Sequence, residues 1–161
     1  MANHFAMHRV LCSTPPDLES ARLLFEQELS DFAERVSMPA GILFPSASFR
    51  QEFNVSVLRN AVESNIRMVE FFLQIFGGTN PDPVFQDFIK LALACVADPA
   101  IPLRRATILF QHSSGSPELE RLRESLATDS RCEVREYADE HELGAQIRAM
   151  LEGWFGLVHV S

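Results

Sequence analysis

A hydroxyl pair, a glycine turn and a histidine, each at the end of an apolar run, are the residues that could do chemistry in this chain. Ser13 and Thr14 follow Arg9–Cys12, Gly77–Gly78–Thr79–Asn80 follows Met68–Phe76, and Gln111, His112 and Ser113 follow Ala106–Phe110. Hydroxyls and the free backbone N–H groups where helices begin suit a phosphate or a carboxylate. His112 is the one histidine placed near these segments, although a loop histidine without a placed partner is more commonly just solvated. Ser-Thr ahead of Pro15–Pro16 is ordinary composition for the start of a helix, and Gly-Gly-Thr-Asn is an ordinary turn. A binding role therefore depends on whether the fold brings these segments together.

Glu70 and Gln74 stand inside the most apolar run. A carboxylate there is costly unless paired, so Glu70 is expected at the solvated start of its strand, and Arg104–Arg105 either partner it or simply mark the wet end of the fourth strand. Cys12, Cys95 and Cys132 are dispersed and odd in number, which suits a reducing compartment rather than a disulfide framework. No ligands cluster at the short spacings of a zinc site. A flavin-phosphate loop needs glycine after the first strand, where Ser13–Asp17 has none. Receiver-type paired acids are missing too. The serine-glycine string Ser113–Ser116 lacks the strand-to-helix context of a nucleophile elbow.

The elements that must position these residues alternate. Arg9–Cys12 reads as a strand, and Asp17 as the cap of a helix whose stripe is Leu18, Ala21, Phe25, Leu29, Phe32 and Val36. Gly41–Phe44 reads as a second strand stopped by Pro45, and a second helix starts near Asn54. Met68–Phe76 is so apolar that it belongs at the centre, covered on both faces. Asp82 caps the third helix, Ala106–Phe110 is the fourth strand, Ser116–Pro117 opens the fourth helix, and Cys132–Tyr137 is the fifth strand. Asp139 with Glu142 then resembles a capping box for the last helix. Helical crossovers demand parallel neighbours. The expected fold is one α/β domain over 1–161: a three-layer sandwich around a five-stranded parallel sheet of flavodoxin-like order 2-1-3-4-5. In that order ligands bind where the winding reverses, between strands one and three, beside Ser13, Thr14 and Gly77–Asn80, with Gln111 and His112 as one wall.

The net charge is −8, and Lys90 is the sole lysine. A nucleic-acid partner needs a concentrated basic face, so none is expected. The longest apolar runs are too short to span a bilayer, and Met1–His8 lacks the pattern of a signal peptide, so the expected location is cytoplasmic. Phe44, Phe49 and Phe53 flank a polar segment and either offer an exposed apolar surface or simply close the bottom of a long loop.

Cys12–Ser13–Thr14, Asp17–Leu18 with Arg22, the acid-led strand from Glu70 to Gly77–Gly78, Leu91–Ala92–Leu93, and Leu103–Phe110 stand in the register of a known pattern. Over residues 8–155 the chain resembles the TIR-like family of unknown function found at the N-termini of NACHT and related STAND-type signalling NTPases. The resemblance implies kinship with TIR domains and nucleoside 2-deoxyribosyltransferases, which bind nucleotides at the same switch point. In active relatives a glutamate on the helix after strand three works at the ribose C1′, as carboxylates do in glycosidases. Phe88 stands at that position here, with Asp87 as the neighbouring acid, and Thr79–Asn80–Pro81 replaces the small residues and tyrosine of the family turn.

Three functions follow from the resemblance. The first is a signalling or defence module with a degenerate cleft, acting by self-association or on a protein partner. The second is an enzyme cleaving or transferring at an N-glycosidic bond of NAD or a nucleoside, with Asp87 as its acid. The third is a sensor that keeps only the pocket. No bound cofactor and no metal are expected in any of them.

Overall fold

Residues 4–49, 55–112 and 115–159 are described by the structure, a computed structural model. The elements in chain order are β1 (Ala6–Met7), β2 (Val10–Ser13), α1 (Glu19–Phe32), β3 (Ile42–Leu43), β4 (Ser46–Ser48), α2 (Val55–Ile66), β5 (Phe71–Phe76), α3 (Val84–Ala97), β6 (Arg105–Gln111), α4 (Pro117–Ala127), β7 (Glu133–Tyr137) and α5 (Glu140–His159). Five strands form one parallel sheet in the order β4-β2-β5-β6-β7. Counting only these strands along the chain, this is the 2-1-3-4-5 order of a flavodoxin-like three-layer sandwich.

Each face of the sheet is covered by its own set of helices. Phe72 and Phe76 of β5 pack with α2, α3 and α4, while Phe71, Leu73 and Ile75 pack with α1 and α5. That alternation is the period of a strand, and every residue of β5 is buried. The central strand is apolar on both sides because it has no wet face. On the α5 side Phe71 stacks on Trp154 with ring centroids 4.7 Å apart and planes 21° apart, an offset arrangement that adds to simple burial.

The second strand differs from its expected bounds. Ser46–Ser48, beyond Pro45, is the stretch that enters the five-stranded sheet. Ile42–Leu43 pairs instead with Ala6–Met7, at the same 36-residue offset. The two ladders are one edge with a gap. His8 N–H donates to the Leu43 carbonyl and Val10 N–H to the Pro45 carbonyl, but the next donor in this register belongs to Pro45, which has no N–H. Gly41, at φ 79°, makes the reversal from the π-helical turn Ala33–Ser37 into β3, a backbone conformation that favours glycine.

Other expectations also shift. The third strand starts at Phe71, not Met68, which is exposed. Asp17 does not cap α1; its side chain bonds to Thr79. Asp82 does cap α3 by accepting from Val84 N–H at 2.9 Å, and Asp139 caps α5 through Glu142 N–H at 2.8 Å. Phe44 is not an exposed patch but core, edge-on to Phe71, and Phe49 packs on the other core. Phe53, Asn54 and Ser113 lie outside the described residues.

The Phe71 ring anchors the inner layer. Replacing it by alanine removes the stack and leaves a cavity, so Phe71→Ala is expected to lower stability by about 3–5 kcal/mol, measured by chemical denaturation followed by circular dichroism.

Candidate functional site

The rim at the carboxyl ends of the strands does collect the expected segments. Ser13 lies beside Gln74 in register, so Thr14 and Gly77 leave adjacent strands at the same edge. What they make there is a closed seam. Ser13, Thr14 and Gly77 are buried. The Leu18 side chain covers Gly77 so closely that a Cβ on Gly77 would come within 2.9 Å of a Leu18 methyl. Beyond it, the Thr79 hydroxyl donates to Asp17 Oδ2 at 2.6 Å, joining the two loops directly. Glycine at position 77 thus serves loop packing, since it lets Leu18 sit over the backbone.

The helix starts flanking the seam carry acids. Asp17 and Glu19 are at the entrance to α1, while Asp82 caps α3 and Asp87 is in its first turn. These carboxylates already satisfy or screen the positive helix ends, leaving a poor place for an anion.

The remaining expected residues are dispersed along the rim. Asn80 receives a hydrogen bond from the Ser116 hydroxyl, which in turn accepts from Leu119 N–H as the cap of α4. Gln111 lines a cavity of about 160 Å³ with Leu18, Tyr137 and Asp139. His112 points away from the seam, 66% exposed and 4.0 Å from Glu136, in a cavity shared with Glu120 and Arg123. Gly78 is exposed. Asp87 and Phe88 face apart: Phe88 is fully buried, and Asp87 is 43% exposed and paired with Arg59 of α2 at 3.0 Å.

The sequence marks Arg22 as one residue of the family pattern, but not the buried network it forms near this rim. Arg22 is buried, yet its guanidinium donates to both carboxylate oxygens of Glu19, to Glu26 at 3.1 Å and to Ser48 at 3.3 Å. The Ser48 hydroxyl completes the ring by donating to Glu26 at 2.6 Å. The Glu19 hydrogen bond, above all, holds Arg22 more firmly charged than usual. Glu19 and Glu26 stand three residues before and four after Arg22, a spacing that places all three on one helix face. That spacing was the available signal; the burial comes from β4 closing over it. Burial, then the Glu26 charge, pushes the neighbouring Cys12 thiol far up, so it is no nucleophile.

Glu70 behaves as expected. It sits at the foot of β5, bonded to His8 at 2.9 Å and to Arg104 at 3.1 Å, at the end of the sheet opposite the rim. Gln74 is fully buried; its amide N–H₂ donates to the Ile75 carbonyl and its oxygen finds no hydrogen-bond partner among the described residues. Among those residues no group of three or more His, Cys, Asp or Glu is arranged to hold a metal ion, and no helix is long and apolar enough to cross a membrane.

No known protein-family model matches the chain, and no curated protein matches it.

Tyr137 ties the rim together by donating from its hydroxyl to the Phe76 carbonyl at 2.7 Å. Burial, then the negative Asp17, pushes its phenol up to about 12. As the only tyrosine, it can be titrated by its near-ultraviolet absorbance. The folded-state midpoint is expected near 12. The unfolded chain ionises from about pH 10, so stability is full below that pH and falls as pH rises from 10 toward 12. A native-state midpoint at the free-tyrosine value would contradict the bonded geometry.

Proposed function

We propose that this chain is a TIR-like interaction domain of the signalling or defence type, with a rim cleft degenerate as a nucleotide site, working by self-association or on a protein partner. The observation that carries this reading is the closed seam between β2 and β5. Where related folds receive a ligand, Leu18 fills the space over Gly77 and the Asp17–Thr79 hydrogen bond bridges the two loops. Acids at the adjoining helix starts further discourage a phosphate. The three free cysteines suit a reducing, cytoplasmic setting.

A second reading has one specific observation in its favour. Asp87 is reachable from solvent and its tie to Arg59 is a half-exposed ion pair, worth about 0–1 kcal/mol. A substrate could displace it. In that reading Asp87 would serve at the C1′ of a ribose in NAD or a deoxynucleoside, cleaving or transferring at the N-glycosidic bond.

One pair of measurements separates the two. Purified protein is incubated with NAD, and separately with deoxynucleosides, while released base is followed by chromatography; sedimentation is recorded over a concentration series. The expected result is no released base and a mass that rises with concentration. Base release that disappears in Asp87→Asn would establish the enzyme instead. A protein that neither turns over nor associates at any concentration would remove self-association and leave only a heterologous partner.

A further inference from the structure

β7 is the last strand of the sheet, and its outer edge has no neighbour among the described residues. Its backbone polarity fixes which residues face outward. His112 N–H of β6's end donates to the Tyr137 carbonyl at 2.7 Å, so Tyr137 points its main-chain groups inward. Alternation then turns Arg135 and Glu133 inward as well, leaving Val134 and Glu136 with outward N–H and C=O groups.

An added antiparallel strand must pair outward residues with outward residues. Three registers of β7 against a second β7 satisfy that requirement near the strand centre, and side-chain charge distinguishes them. Pairing Val134 with Val134 of a second copy puts Glu133 opposite Arg135, and by symmetry Arg135 opposite Glu133. These cross-strand neighbours fall at the non-hydrogen-bonded positions, where side chains come closest. Sliding the pairing by one step places Arg135 against Arg135, and by two steps Glu136 against Glu136. Only the first register is free of facing like charges.

Room exists for these side chains. A cavity of about 260 Å³ lies between β7 and α5, lined by Glu133, Arg135, Arg105, Thr107, Trp154 and Leu157, on the same face as the Glu133–Arg135 row. In the single chain Glu133 and Arg135 pair with each other along the strand. The same two charges are thus available to exchange partners across a two-fold axis.

We propose that two copies of this chain associate edge to edge through β7, antiparallel and centred on Val134, making one continuous ten-stranded sheet held in register by two reciprocal Glu133–Arg135 pairs. Charged side chains on an edge strand normally keep sheets apart. Here their order admits a second copy and rejects most other strands. The proposal rests on the self-association reading and names its surface. The contact is small beside the area of a standard interface, so association is expected to be weak and to be seen over about 10 μM to 1 mM protein.

The test is a charge exchange followed by sedimentation over that range. Glu133→Arg and Arg135→Glu each place like charges opposite one another and are expected to weaken homodimerisation about tenfold or more. An equimolar mixture of the two variants restores both opposite-charge pairs and is expected to form heterodimers at least as well as the wild type. Both variants leave the inward main-chain hydrogen bonds of β7 in place; Arg135→Glu also removes the Arg135 guanidinium's bond to Gln146 of α5 at 3.0 Å, so circular dichroism on each variant checks the fold. Mixed variants that stay monomeric while the wild type dimerises overturn the β7 surface and leave self-association standing. Single variants that dimerise like the wild type have the same meaning. A wild type that stays monomeric throughout the range overturns both.

Discussion

A parallel sheet survives only if helices cover both of its faces, and in this chain that constraint falls hardest on β5. All six of its residues are buried, sending side chains alternately into two separate cores. Position 74 is the exception in kind, an amide among phenylalanines. The helices follow from this: α1 and α5 on one face, α2, α3 and α4 on the other. So does the meeting of the loops after β2 and β5 on one rim, because β2 lies directly beside the strand that both cores require.

The rim after β2 and β5 brings several polar groups together and pairs them with one another. Four of the groups at this rim that face a would-be ligand are engaged by the protein. The Gly77 backbone lies under Leu18, the Thr79 hydroxyl on Asp17, Asn80 on Ser116, and Asp87 on Arg59. The strongest polar cluster nearby, around Arg22, joins α1 to the short strand β4 and consumes its charges in doing so. The outward edge of β7 shows the opposite arrangement, with no strand beside it among the described residues.

The order of elements and the strand order were legible in the sequence because helical and strand periodicities are strong in long amphipathic or apolar runs. Leu18 to Phe32 and Phe71 to Phe76 carry that signal plainly. Short edge strands do not: Ser46–Ser48 is small and polar, and its membership is set by register with β2 across 36 residues rather than by its own composition. The site was legible only as a location. Whether Asp17 caps a helix or binds Thr79, and whether Leu18 leaves Gly77 open, depends on how two loops distant in sequence settle against each other. Arg22 was visible as a residue between two acids, but its burial was not, since that requires knowing where β4 ends. Phe44, the last residue of an apolar run before Pro45, was open to either reading until the fold turned its ring inward onto Phe71.

The chain has one tryptophan and one tyrosine, and the central strand touches both. The indole of Trp154 lies on Phe71, where β5 begins, and the phenol of Tyr137 grips the carbonyl of Phe76, where it ends. Nature has placed a separate chromophore at each end of the segment on which both cores converge. Loss of the two signals at one denaturant concentration would mean that the strand leaves the sheet as a unit, and loss at two concentrations would show from which end it frays.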